Sequence, residues 1–233
     1  MNLGQGRNIH EKIRKNGYRR ILELGFNWGV STCYLASAVA DQPDGHVVTI
    51  DLASRVAFRP GVEGFLEACG LRRAVTVFYE HSSYTWRLRA FLRMDPRPEF
   101  DLIYLDGGHL WEPDALAFLL AEQMLRPGGM FIFDDLHWTF GQSPYWSDAE
   151  MVQNMTADER DTPHVQEIFD LLVKPHPNIA KTFENSSWGF AIKSKDAAFV
   201  RNDQTPVEAQ LAAAAIETKR HASSLHPTTV GLE

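Results

Sequence analysis

Four carboxylates stand where apolar runs end. Asp51 follows "VVTI", Asp106 follows "LIYL", and Asp134 and Asp135 follow "FIF". His109 comes three residues after Asp106, across two glycines, in "LDGGH". In an open parallel sheet, adjacent strand ends meet above the carboxyl edge, where ligands bind. Carboxylates brought together there repel one another, and a bound cation is the natural compensation. Oxygen-only donors suit a hard ion such as Mg²⁺, which keeps waters and leaves room for a substrate oxygen. Asp106, Asp134 and Asp135 are therefore the candidate metal ligands. His109 has the side chain best suited to take a proton at neutral pH, and it is the candidate general base. Asp51 can accept the two hydroxyls of a ribose. Plainer readings exist for each: a strand-end aspartate as a cap or turn residue, and His109 as an exposed turn histidine or one packed on Trp111.

Short strands must position these groups. Runs rich in Val, Ile and Phe at 19–24, 46–50, 74–79, 100–105 and 129–133 lack strict alternation, as expected of strands buried on both faces. Helical patterns near 29–40, 58–69, 84–94 and 111–125 separate them, with Gly70 and "RPGG" (126–129) as helix stops. This alternation predicts an α/β fold, a parallel sheet with helices on both faces. The first strand runs into "ILELGFNWGVS", where Gly25 and Gly29 are spaced G-x-x-x-G before a helix. Small residues suit the approach of a ligand to a strand end and the following helix N-terminus. The spacing is not the G-x-G-x-x-G of a dinucleotide site. With Asp51 it points to a nucleoside ligand.

The pattern changes after 133. Residues 136–162 form a long polar and aromatic connection carrying Trp138, Phe140, Tyr145 and Trp146, and loops of this length are usually functional. An aromatic lid over a small acceptor is one expectation; packing on the core or on a dimer partner is the other. A helix over 163–173 and strands at 179–185 and 187–194, as an antiparallel pair, close the domain. A short helix near Ile9–Lys15 precedes the first strand. Residues 1–200 are expected to be one domain, followed over 201–233 by an Ala-rich helix and a flexible tail.

The formal charge of −7 and the lack of a Lys/Arg run argue against an extended nucleic-acid footprint. The two cysteines form no disulfide framework, which suits reduced thiols in a cytoplasm. The N-terminus carries no apolar leader, and no run approaches the roughly 20 apolar residues a membrane span needs.

"ILELGFNWGVS" followed by "TIDL" resembles the motifs of class I S-adenosylmethionine-dependent methyltransferases, and within them the catechol O-methyltransferase-like branch. The resemblance covers about 19–194 by element order. It implies a Rossmann-like, doubly wound seven-stranded sheet in the order 3-2-1-4-5-7-6, with the last strand antiparallel. It implies that Glu23, Gly25, Gly29 and Ser31 surround the methionine part of the cofactor, that Asp51 binds its ribose, and that His81 and Ser82 of "YEHSSY" lie at its adenine, with Asp106 bordering both cofactor and metal. In that branch an Asp-Asn pair stands where Asp134-Asp135 stand here. The Asp-Asp pair is closer to the metal-dependent macrolide sugar O-methyltransferases, which use Glu-Asp and carry a histidine at the His109 position. The implied activity is transfer of a methyl group from S-adenosylmethionine to a hydroxyl of a small phenol, sugar or other natural product, assisted by Mg²⁺. Competing readings keep the fold. Asp106 with His109 and His137 could form a non-haem-iron hydroxylase site, although His137 is better explained as structural. A tRNA-modifying methyltransferase and a non-catalytic cofactor-binding protein are the others.

Overall fold

The computed structural model describes residues 1–197 and 207–224. Seven strands make one sheet: β1 (Arg20–Leu24), β2 (His46–Leu52), β3 (Val75–Glu80), β4 (Phe100–Leu105), β5 (Leu125–Phe133), β6 (Ile179–Asn185) and β7 (Trp188–Lys193). Their order is β3-β2-β1-β4-β5-β7-β6. The first five pair in parallel, and β7 enters antiparallel between β5 and β6. The expected topology is present.

Alternation along each strand splits the core in two. Leu22, Leu24, Ile50, Ile103, Leu105, Phe131 and Phe133 face one layer, with Phe118 and Phe169 among its members. Ile21, Val47, Val77, Leu102, Tyr104 and Ile132 face the other, with Ile9, Ile13 and Leu35. The helices are α1 (Leu3–Asn16), α2 (Val30–Val39), α3 (Gly61–Ala68), α4 (Tyr84–Leu92), α5 (Trp111–Glu122), α6 (Glu150–Gln153), α7 (Ala157–Asp161), α8 (His164–Ile168) and α9 (Val207–Ser224). A π-helical turn, Phe169–Val173, continues α8. Helix α3 stops as expected: Gly70 has φ +70°, and the Leu71 amide reaches back to the Leu66 carbonyl at 2.8 Å.

One expected boundary moves. "RPGG" does not end α5, which stops at Glu122; it lies inside β5. The β4–β5 register jumps from Phe100↔Leu125 to Leu102↔Met130, so the glycines form a bulge rather than a cap. The Ala-rich segment is helical over 207–224, and α9 packs against β3. Most of the tail expected to be flexible, 225–233, lies outside the described residues, as do 198–206.

Parallel pairing sets the site. Leu24 pairs with Ile50 on one side and Leu105 on the other, and Leu105 pairs with Phe133. The next residue on each strand is then Gly25, Asp51, Asp106 or Asp134. All four emerge side by side at the carboxyl edge.

Candidate active site

The row of backbone bonds continues one step past the strands. The Gly25 amide donates to the Ile50 carbonyl (2.8 Å), the Asp106 amide to Leu24 (2.9 Å) and the Asp134 amide to Leu105 (2.9 Å). Gly25 takes φ +93°, and a Cβ there would lie 1.9 Å from the Asp106 carbonyl oxygen. Only glycine allows the two chains to approach so closely. Gly29 has φ +96° at the start of α2, and its missing side chain is replaced by Val62 of α3.

Asp51 braces this glycine loop. Its Oδ2 accepts from the amides of Phe26 (2.9 Å) and Asn27 (2.7 Å), and its Oδ1 from Leu52 (2.6 Å). Arg55 lies 3.6 Å away. Glu23 is fully buried. Its Oε2 accepts from the hydroxyls of Thr32 on α2 and Thr49 on β2, each at 2.6 Å, while Oε1 has no partner among the described residues. Burial pushes its carboxyl up to about 7, with Asp51 adding to the rise and the Ser31, Thr32 and Thr49 hydroxyls opposing it. Ser31 is buried beside it, so Glu23 and Ser31 lie under the glycine loop rather than open on its surface. His81 and Ser82 are exposed in the turn after β3. Ser83 then caps α4, its hydroxyl accepting from the Thr85 amide.

The three carboxylates at β4 and β5 do not meet as a trio. Asp134 is 3% exposed and shares a sheet face with Tyr104, whose hydroxyl donates to its Oδ2; its Oδ1 accepts from the Asp135 amide at 2.8 Å. Asp135 then takes φ +54°, which turns the chain. The residues that come together are Asp106, His109 and Asp135, with one donor atom from each lying within 4.8 Å of the others. His109 Nε2 is 3.5 Å from Asp135 Oδ2 and 4.0 Å from Asp106 Oδ1. These are ion-pair distances, and Nε2 makes no hydrogen bond among the described residues. Burial alone would lower the His109 pKa, but the carboxylates of Asp135, Asp106 and Asp134 outweigh it and the value is raised. The reciprocal effect holds Asp135 below its ordinary range, chiefly through His109. Asp106 is raised by burial and by Asp134, with His109 opposing.

The loop carrying His109 is clamped from several elements. His109 itself has φ +54°, rare for a residue with a side chain. Tyr84 Oη accepts from the Gly108 amide at 3.4 Å, and His164 Nδ1 accepts from the Trp111 amide at 3.1 Å. Asp114 of α5 is 1% exposed, and burial pushes its carboxyl up to about 7 against the backbone amides of His109, Leu110 and Gly108. Sequence reading passed over Tyr84, Tyr104, Asp114 and His164. A detectable signal existed for two of them: Tyr104 sits in an apolar run and needs a partner for its hydroxyl, and Asp114 interrupts the apolar helix "DALAFLLA".

The aromatics of 136–162 divide. Trp138 lies against His109 (ring centroids 4.8 Å apart) and Phe140 (4.6 Å), and Phe140 is buried. Tyr145 is 90% exposed and Trp146 is 47% exposed, so the outer half of the loop leaves the core. His137 is exposed and outside the Asp106–His109–Asp135 group, so the two-histidine iron site does not assemble.

A family model described as a methyltransferase domain matches residues 22–136, from β1 through both aspartate-bearing strand ends. Over that segment, just under half of its length, the chain resembles the methyltransferases. Solved structures share the fold. An O-methyltransferase from Bacillus cereus, in complex with SAH, is 22% identical over 83% of this chain and 82% of that one, with a TM-score of 0.59. The O-methyltransferase TomG from Streptomyces achromogenes, involved in tomaymycin synthesis and solved with SAM, is 20% identical over 83% and 81%, with a TM-score of 0.61. MycE from the mycinamycin pathway, solved with Mg, SAH and mycinamycin VI, is 15% identical over 84% of this chain and 51% of that one, with a TM-score of 0.53. A search of curated proteins returned no match. Among the described residues, no helix is long and apolar enough to cross a membrane.

Proposed function

We propose that the protein is a metal-assisted O-methyltransferase that moves a methyl group from S-adenosylmethionine to a hydroxyl of a small molecule. The observation that carries this reading is the group Asp106, His109 and Asp135, drawn within 4.8 Å at the strand ends beside the glycine loop. The two carboxylates suit a divalent cation, their hard oxygens favour Mg²⁺, and the imidazole Nε2, which makes no hydrogen bond among the described residues, is left to take a proton. Asp106 and Asp135 would hold it. Asp134, tied to Tyr104, would fix the turn that presents Asp135. When bound, the cation would stabilise negative charge developing on the acceptor oxygen.

The chain's own residues supply the remainder. Gly25 and Gly29 open the end of β1, and Asp51 holds the loop through three backbone amides. Asp51 would accept the ribose hydroxyls, and His81 and Ser82 would line the adenine end. His109 Nε2 would receive the hydroxyl proton, and the flanking carboxylates of Asp106 and Asp135 stabilise the imidazolium. Trp138 packs on that ring and limits water around it. Methyl transfer to the oxygen then yields an ether and S-adenosylhomocysteine, with rate gained mainly from proximity and orientation. Loop 136–162 would cover the acceptor, with Trp138 as its inner wall.

The test is S-adenosylhomocysteine release from a panel of phenols, sugars and other alcohols, with Mg²⁺ and with chelator. Full turnover in chelator would sink the metal role. Release with amine acceptors but with no hydroxyl acceptor would sink O-methylation.

A further inference from the structure

We propose that Arg55 is a cofactor-binding residue whose buried Nε–H donates to a ribose oxygen beside Asp51. The inference rests on reading Asp51 as the ribose carboxylate.

An ionised carboxylate offers about four acceptor positions. On Asp51 the Phe26 and Asn27 amides fill Oδ2, and the Leu52 amide takes one of the two on Oδ1. The position left open is on Oδ1, and the hydroxyls of an arriving ribose must share it. Arg55 Nε lies 3.6 Å from that same oxygen. This separation suits an ion pair and is too long for a hydrogen bond. Nε is buried, and it makes no hydrogen bond among the described residues. A buried N–H without an acceptor costs free energy, so an occupant that brings an oxygen there is stabilised. A ribose hydroxyl fits both groups, because one oxygen can donate to the carboxylate and accept from the guanidinium.

The donor is held in place from outside the carboxylate. Arg55 belongs to a short 3-10 turn, Ala53–Ala57, directly after β2. Its guanidinium lies over the Phe58 ring, 5.0 Å from the centroid, and Phe58 stacks on Trp28 with ring centroids 4.2 Å apart. Trp28 lies in the glycine loop, between Gly25 and Gly29. The stack thus joins the segment after β2 to the loop after β1, the two segments that meet at Asp51. A ring face attracts the charge of a guanidinium but does not accept the N–H bonds in its plane. The packing therefore orders Nε without giving it an acceptor.

The experiment is calorimetric titration of the full chain with S-adenosylhomocysteine and with its 2′-deoxy and 3′-deoxy forms. The proteins are the wild type, Arg55→Met and Arg55→Gln. Both variants lose the charge and extend equally far, but glutamine places an N–H where Nε was and methionine places a methyl group there. Arg55→Met should weaken S-adenosylhomocysteine binding about tenfold or more, the worth of one charge-assisted hydrogen bond. Arg55→Gln should stay within about threefold of the wild type. With the deoxy form that lacks the bonded oxygen, Arg55→Met should cost less than about twofold. Thermal unfolding checks that both variants fold; if Arg55→Met does not, Arg55→Lys, with carbon at the Nε position, takes its place. A guanidinium that only braced Asp51 through its charge would cost both uncharged variants alike. Equal losses in Arg55→Met and Arg55→Gln, wild-type affinity in Arg55→Met, or a loss undiminished with either deoxy form would overturn the proposal while leaving the cofactor reading intact. If the wild type binds no S-adenosylhomocysteine, the cofactor reading fails and the proposal falls with it.

Discussion

Replacing Glu23 by glutamine should flatten the pH dependence of folding stability. Glu23 is fully buried, with two threonine hydroxyls on one oxygen and no partner on the other among the described residues. Its carboxyl is pushed from 4.5 up to about 7 by burial first and by Asp51 to a smaller degree. The folded state therefore binds one more proton than the unfolded chain between those two values. The stability this group contributes is fully present below the unfolded value and is lost as pH rises through about 7. The interval corresponds to roughly 3 kcal/mol at about 1.4 kcal/mol for each pH unit. The glutamine side chain would carry no titrating proton, and its Oε1 can still accept from both threonines. The difference in unfolding free energy between the two proteins should thus move by about 3 kcal/mol in favour of Glu23→Gln between pH 4.5 and pH 8. Urea denaturation of both proteins at several pH values measures it, and comparing the pair cancels other raised carboxyls such as Asp106 and Asp114. Parallel stability curves would refute the reasoning. Glu23 would then be ionised throughout, and Oε1 would have to be solvated or bonded after all.

Three further outcomes follow from the same geometry. Gly25→Ala adds a Cβ 1.9 Å from the Asp106 carbonyl at φ +93°; it should lose more than about 2 kcal/mol in denaturant titration and most of the S-adenosylmethionine affinity, and a wild-type midpoint would contradict the close approach. Asp135→Asn keeps a residue tolerant of φ +54° but removes charge, so the Mg²⁺ concentration for half-maximal turnover should rise about tenfold or more; an unchanged Mg²⁺ titration would remove Asp135 as a ligand. His164→Ala breaks bonds to the Trp111 amide and the Glu159 carbonyl, so stability should fall by about 1–3 kcal/mol and proteolytic cleavage within 136–162 should quicken; unaltered cleavage would show that the loop is anchored elsewhere.

Much of this protein is readable in one dimension. Strand runs buried on both faces and helices between them determine a parallel sheet, because only that arrangement buries both faces of each strand. Aspartates placed immediately after such runs must then emerge at the carboxyl edge, which is why Asp51, Asp106 and Asp134 were identifiable from the sequence. The resemblance supplied the order of strands, which local pattern cannot. Tertiary structure decided which donors meet. Asp134 and Asp135 are adjacent in sequence, yet one turns into the sheet toward Tyr104 and the other toward His109. The separation depends on a left-handed φ at Asp135 and on a tyrosine hydroxyl from the neighbouring strand, neither visible in composition or spacing. The same is true of the loop carrying His109, which Tyr84 of α4 and His164 of α8 hold through bonds to Gly108 and Trp111 that span 24 and 53 residues of sequence. Side-chain direction at a strand end is chosen by the partners that satisfy buried polar groups, and those partners are assembled only when the chain folds.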